Sequence, residues 1–275
     1  MLIFIVGLVN GVLQSFGYIP ALGLDQLTVR YYLEMFSDPA VWRSIGLSLW
    51  IAFASSIIAV IIGTAICFLM VTAKGSESKL VTREPRLTRL IKLPILIPHL
   101  IVAVFVISIF SQTGLISRLF FHLGIISAPA DFPILLFDKF AIGIILAYLW
   151  KEIPFICYFV LTVMAGITDK LEQTAMGLGA TRFKAFTNIT LPLCRPVIMN
   201  SFFIIFAFSF GAFELPYLLG ATLPKALPVL AYTEYIHPDL LHRPYAMVLN
   251  VVMIVICLIV SILYYRGIKE DKVYE

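Results

Sequence analysis

Residues 44–72 read SIGLSLWIAFASSIIAVIIGTAICFLMVT and contain no charged side chain. An α-helix rises 1.5 Å per residue, so about 20 apolar residues cross the roughly 30 Å hydrocarbon layer of a bilayer. A single strand would leave its backbone N–H and C=O groups unpaired in lipid. We therefore predict that this segment is a transmembrane helix and that the chain is a membrane protein.

Further apolar segments lie on both sides of this one. They are residues 2–19, 93–112, 140–164, 197–215 and 244–265. Of all 275 residues, 61% are hydrophobic and 13% are charged, whereas soluble domains carry about 25% charged residues. The sequence thus predicts an all-α fold, with a single transmembrane domain over residues 1–275 that is a bundle of about six membrane-spanning helices.

Basic residues are distributed unevenly among the loops. They are concentrated after the second span, after the fourth span and in the C-terminal tail: Lys74, Lys79, Arg83, Arg86, Arg89, Lys92, Lys170, Arg182, Lys184, Arg195, Arg266, Lys269 and Lys272. Because Lys and Arg accumulate in cytoplasmic loops, the pattern predicts that both termini are cytoplasmic. The net charge is +4, but basic residues beside the spans set the orientation of the chain in the membrane. A nucleic-acid partner is therefore not expected.

The loop after the fourth span, residues 168–192, reads TDKLEQTAMGLGATRFKAFTNITLP and is long and amphipathic. Asp169 and Glu172 have the spacing of a capping box, which predicts that a helix begins there. Gly177 and Gly179 then favour a turn, since glycine adopts backbone conformations that other residues avoid.

A second short helix is predicted after that turn, over residues 181–188. Phe183 and Phe186 lie three residues apart and therefore on one face of it. We expect both side chains to be exposed and to need an apolar cover, which is either lipid or a groove on a partner protein. Pro192 and Pro196 predict that this helix ends and that the next span starts anew.

The same loop resembles the EAA signature of the permease subunits of binding-protein-dependent ABC importers. Its parts are Gln173-Thr174-Ala175, then Gly179-Ala180, then Ile189-Thr190-Leu191-Pro192, with nine residues between Gly179 and Ile189. Gln173 and Thr174 replace the first two residues of the signature. The resemblance extends to WKEIPF at 150–155, FELP at 213–216 and LTVRYYLEMFSDP at 27–39.

This resemblance implies a type I ABC importer permease of the polyamine, ferric-iron, sulfate, thiamine and phosphonate group. In such a permease the 168–192 loop couples the translocation path to a separate ATPase subunit. The coupling residues that it implies are Gln173, Ala175, Gly179, Ala180, Arg182, Phe183, Phe186, Ile189, Leu191 and Pro192.

The resemblance also implies the setting of the chain, which is the bacterial inner membrane. The implied partners are two ABC ATPase subunits, a second permease subunit of the same or a different kind, and an extracytoplasmic solute-binding protein. The sequence has no GxxxxGK[ST] phosphate-binding loop, so we expect ATP to be used by the partner and no cofactor to be bound here. No catalytic or metal-ligating constellation is evident among its histidines and cysteines, and the chain is not expected to be an enzyme.

Three acidic or basic residues lie within predicted spans, where a charge is costly and often functional. Lys151 and Glu152 lie near the middle of the fourth span, and Glu214 lies near the outer end of the fifth. We predict that all three are candidates for the translocation path. The alternative for Lys151 and Glu152 is that they form structural ion pairs between helices. Adjacent helical residues point about 100° apart, so these two should meet different neighbours. A rival function, ion-coupled secondary transport, would use the same three residues.

Overall fold

The computed structural model describes residues 1–72 and 92–271, and within these ranges the regular secondary structure is helical, without β-strands. Five helical segments are long and apolar enough to cross a membrane: Pro39–Met70, His99–His122, Ile142–Met164, Arg182–Gly211 and Leu240–Arg266. The first predicted span forms a shorter apolar helix, Leu2–Ser15. The predicted all-α membrane fold is confirmed. Most of the basic loop after the second span, from Lys74 to Arg89, lies outside the described residues.

The helices are numbered here in chain order. They are α1 (Leu2–Ser15), α2 (Arg30–Ser37), α3 (Pro39–Thr72), α4 (His99–Phe110), α5 (Leu115–His122), α6 (Ile142–Gly177), α7 (Arg182–Ala185), α8 (Leu191–Gly211), α9 (Glu214–Leu219), α10 (Leu227–Tyr235) and α11 (Arg243–Asp271). A π-helical turn, Phe186–Thr190, joins α7 to α8.

Aspartate side chains fix the start of two spanning helices. Before α3, a carboxylate oxygen of Asp38 accepts a hydrogen bond from the backbone N–H of Ala40 at 2.8 Å, and proline at the first helical position needs no such partner. Before α6, Asp138 accepts from the N–H of Phe140 at 2.8 Å and from that of Ile142 at 2.9 Å. The Asp38 cap explains why α3 begins five residues before the predicted span.

The expected helix start at Asp169 is wrong. α6 runs without interruption from Ile142 to Gly177, so Asp169 and Glu172 lie inside a continuous helix rather than at its beginning. A capping box acts only where the backbone before it has left the helical conformation, and no proline or turn precedes Asp169 closely enough to cause this. Pro154 also lies inside α6 without ending it.

The chain divides by its internal contacts into two compact units, whose residues alternate along the sequence. Unit 1 comprises residues 1–51, 103–144 and 210–275, and unit 2 comprises residues 52–102 and 145–209. The assignment of residues 1–275 to one domain stays a prediction.

In unit 1, α1, α2 and α10 all pack on α11. The Tyr245 hydroxyl of α11 donates a hydrogen bond to the Glu34 carboxylate of α2, which also accepts one from Arg30. These two hydrogen bonds hold the pKa of Glu34 below its ordinary value, the one from Tyr245 having the larger effect. The polar side chains at this contact are therefore paired with one another.

Unit 2 has an apolar core to which three of the four cysteines contribute. Cys67, Cys157 and Cys194 are buried there as free thiols and pack as small hydrophobic side chains. Gly63 of α3 lies against Ile156 of α6 so closely that an added Cβ would stand 2.7 Å from a side-chain carbon of Ile156. The close approach of α3 and α6 thus depends on glycine at this position.

Candidate coupling segment and buried charges

The end of α6 is shaped by Gly179. The N–H of Gly179 donates to the carbonyl of Met176, and the N–H of Ala180 donates to that of Ala175, both at 3.0 Å. With Gly179 at a φ of +92°, these bonds form a Schellman motif, in which a left-handed residue closes the helix. The predicted turn after the two glycines is confirmed.

A new helix starts directly after this turn. Thr181 is its N-cap, and its hydroxyl oxygen accepts a hydrogen bond from the N–H of Lys184 at 3.3 Å. Helical residues then continue through α7, the π turn and α8 as far as Gly211. The prediction of a helix starting at residue 181 is confirmed.

The expectation that Pro192 and Pro196 end this helix is wrong. Pro192 lies in the first turn of α8 and Pro196 in its interior. Pro192 has no N–H to donate to the carbonyl four residues earlier. The π turn directly before α8 pairs backbone groups five residues apart, and this wider spacing accommodates the missing donor. The segment is therefore joined to the fifth span by continuous helical backbone.

The two phenylalanines of the segment have different surroundings. Phe183 is 63% exposed, whereas Phe186 is 7% exposed and belongs to the core of unit 2. The ring of Phe186 packs on Phe68 of α3 with centroids 4.6 Å apart, while Phe183 touches the same ring edge-on at 5.9 Å. The expectation that both are exposed is correct for Phe183 and wrong for Phe186. Helical spacing shows which residues share a face of the helix. It does not show which part of that face is covered by the rest of the protein.

Leu178 adds an apolar side chain that sequence reasoning missed. It lies in the turn before Gly179 and is 87% exposed. A large apolar residue between two glycines is the signal that could have identified it. We call Leu178, Gly179, Arg182 and Phe183, all exposed, the 178–183 surface.

The other predicted coupling residues are less exposed or lie elsewhere on the segment. Ala175, Ala180, Ile189 and Leu191 are half-buried, and Pro192 is exposed. Gln173 lies in the helical backbone of α6, but its side chain is outside the described part of the structure.

The adjacent charges of α6 bond to different neighbours within unit 2, as predicted from their angular separation. The ammonium of Lys151 donates to the backbone carbonyl of Ile97 at 2.7 Å. Glu152 is 4% exposed, and its Oε1 accepts from the hydroxyl of Ser55 at 3.4 Å and from that of Ser209. Its Oε2 is buried and has no hydrogen-bond partner among the described residues. These bonds join the two charged side chains to neutral groups on other segments.

Glu214 occupies a different setting, in unit 1. It is the first residue of α9 and is exposed, directly after the short break that ends α8 at Gly211. A carboxylate in the first turn of a helix is stabilised by the helix dipole. That Lys151, Glu152 or Glu214 lines a translocation path stays a prediction.

Comparison with known proteins decides the family. Residues 82–268 match the family described as the inner membrane component of binding-protein-dependent transport systems. The chain belongs to this family. It is 23% identical over 240 residues to the sulfate transport system permease protein of Synechocystis sp., which covers 86% of this chain and 77% of the relative. It is 25% identical over 248 residues to the spermidine/putrescine transport system permease protein of Haemophilus influenzae, which covers 88% and 80%.

A solved structure shows the same fold. This is the crystal structure of a bacterial alginate ABC transporter in complex with an alginate pentasaccharide-bound periplasmic protein. The likeness has a TM-score of 0.72 at 19% identity and covers 95% of this chain and 92% of that chain. The fold is that of a type I ABC importer permease, and the function is that of the permease subunit of an ABC importer. The resemblance seen in the sequence is confirmed, and ion-coupled secondary transport is not favoured.

Proposed function

We propose that the chain forms the solute path together with a second permease subunit and that two separate ABC ATPase subunits drive it. An extracytoplasmic solute-binding protein delivers the solute. Membership of a binding-protein-dependent family supports this arrangement, as does the periplasmic protein bound in the related alginate transporter. Because the sequence has no GxxxxGK[ST] motif, the proposal assigns ATP hydrolysis to the partner.

The proposed docking site for the ATPase is the 178–183 surface. Leu178 and Phe183 offer large apolar side chains to a partner, and Arg182 offers a positive charge beside them. Exposed aromatic and arginine side chains are typical anchors of protein interfaces. The burial of Phe183 in a cleft of the ATPase would supply the cover that this side chain lacks.

Phe186 has a complementary role in this proposal. Its ring is held in the core of unit 2 against Phe68, and the backbone continues from it into α8 without a break. A displacement applied to Phe183 is therefore passed to α3 through a packed aromatic contact and to α8 through the helix itself. This is the expected construction of an element that transmits ATPase closure to membrane helices.

The docking surface must face the cytoplasm, where ATP is available. The basic residues of its own segment, Arg182, Lys184 and Arg195, favour this side. The same rule supports a cytoplasmic C-terminal end, where Arg266, Lys269 and Lys272 lie. We propose the same side for the N-terminus, with α1 as the sixth crossing of the membrane. The chain is thus a multi-pass protein of the inner membrane with both ends inside.

Among the three candidates for the translocation path, we favour Glu214, because its side chain is exposed. The solutes named for the two relatives have opposite charge, since sulfate is an anion and spermidine and putrescine are cations. The charge of Glu214 therefore does not by itself identify the solute of this permease.

Replacement of the exposed ring tests the proposed docking. The tagged chain, co-expressed with the ATPase of its own transporter, is purified in mild detergent and assayed for retained ATPase activity. We expect Phe183→Asp to reduce the retained activity by at least about tenfold, because it puts a charge into the centre of an apolar contact, while the amount of inserted permease is unchanged. Phe183→Leu, which keeps an apolar side chain, should retain most of the activity. Full retention by Phe183→Asp would refute the docking site.

A further inference from the structure

The segment predicted as the third span is interrupted at Ile97 and Pro98. Residues 92–96 are helical, Ile97 lies in a bend, and α4 begins only at His99. In an uninterrupted helix the carbonyl of Ile97 would accept a hydrogen bond from the N–H of Ile101. Instead, that N–H donates to the carbonyl of Pro98 at 3.1 Å. The interruption thus deprives the Ile97 carbonyl of its helical donor.

The side chain of Lys151 replaces this donor. Its ammonium lies 2.7 Å from the Ile97 carbonyl oxygen, the distance of a charge-assisted hydrogen bond. Lys151 lies near the middle of the Ile142–Met164 span, so the interruption is at the same depth. A carbonyl without a donor is costly at this depth, and so is a charged ammonium. The bond lowers both costs at once.

The residues on either side of this bond are also held in place. The ring of His99, which follows the interruption, packs on Phe208 of α8 at 5.0 Å. Glu152, the neighbour of Lys151, bonds to Ser55 of α3 and Ser209 of α8. The part of α6 that carries Lys151 is therefore anchored independently, so the ammonium is presented to the Ile97 carbonyl from a fixed position.

We propose that Lys151 is a positioning residue that secures the interrupted segment at 92–102 within unit 2, rather than a residue that contacts solute. The bond to the Ile97 carbonyl sets the path of the chain across the Pro98 interruption. The proposal depends on neither the ATPase docking site nor the identity of the solute.

Amide hydrogen exchange of the complete, detergent-solubilised transporter tests this directly, and it requires no solute. We expect Lys151→Met to increase the exchange rate of peptides covering residues 92–103 by about tenfold or more, as for the loss of a charged hydrogen bond. Lys151→Arg retains a cationic donor and should restore most of the protection. Lys139→Met, the same change at an exposed lysine shortly before α6, should leave these peptides unchanged.

The Pro98→Ala background distinguishes positioning from a general loss of stability. Alanine permits a continuous helix in which Ile101 can donate to the Ile97 carbonyl, so Lys151→Met should then change exchange by less than about threefold. If Lys151→Met alone does not fold, the double variant should recover the folded protein. The proposal is overturned if Lys151→Met leaves residues 92–103 unchanged, or if its effect or folding failure is equal in both backgrounds.

Discussion

Phe183 and Phe186 belong to one short segment and yet occupy opposite environments. Phe183 projects from the surface, whereas Phe186 is enclosed by the core of unit 2 and packs on Phe68. A single turn of helix therefore leaves one aromatic ring exposed, within the proposed docking surface, and is held to the core of unit 2 by the next. Stability and ATPase coupling should therefore depend on different residues of the same segment.

The largest expected effect on stability is that of Phe186→Ala. Removing a buried phenylalanine ring costs about 3–5 kcal/mol, because the contacts are lost and a cavity remains. Phe183→Ala is the matched control and should change the free energy of unfolding by less than about 0.5 kcal/mol, as for exposed positions. Both are measured by thermal unfolding of the purified chain in one detergent. Equal losses from the two variants would contradict the division into an exposed and a buried side.

A smaller effect is expected at Gly179, which sets the direction in which the segment leaves α6. A Cβ at this position meets no atom within 4 Å, but the φ of +92° is unfavourable for alanine. Gly179→Ala should therefore destabilise the protein by about 1–2 kcal/mol. Gly177→Ala, in the last turn of α6 and equally uncrowded, should be neutral or slightly stabilising. The same unfolding assay compares them, and a tolerated Gly179→Ala would show that the left-handed turn is dispensable.

The membrane fold was predictable because hydrophobic length alone determines which segments can span a bilayer. The ends of the spans were less predictable, since they depend on caps such as Asp38 and Asp138 rather than on hydrophobicity. Asp169 has comparable capping chemistry and starts no helix. A capping residue is effective only where the chain has already left the helix.

Prolines illustrate the same limit. The helical backbone is interrupted at Pro98, before α4. At Pro192 it continues into α8 after a π turn, and α6 contains Pro154 in its interior. Each proline removes one backbone donor, but the outcome depends on whether neighbouring groups satisfy the carbonyl that is left. The interruption at Pro98 also leaves the carbonyl of Ile97 without its helical donor, and the ammonium of Lys151 donates to it instead. This partner lies more than fifty positions away in the sequence.

The structure of the candidate coupling segment was only partly predictable for a related reason. The two glycines located the turn, and the spacing of the phenylalanines located the helix after it. The position of Phe68, in a distant part of the sequence, decided which phenylalanine is buried. Leu178 was missed because a turn residue belongs to no periodic pattern. Tertiary contacts, which one sequence does not display, determine these details.

The central claim is that the 178–183 surface binds the ATPase while Phe186 remains inside the permease. Site-specific photo-crosslinking in membranes that contain the complete transporter tests it most directly, with a photoreactive phenylalanine analogue placed at position 183 or at position 186. The account predicts a covalent product with the ATPase subunit from position 183 and none from position 186. No ATPase product from position 183, or equal products from both positions, would contradict it.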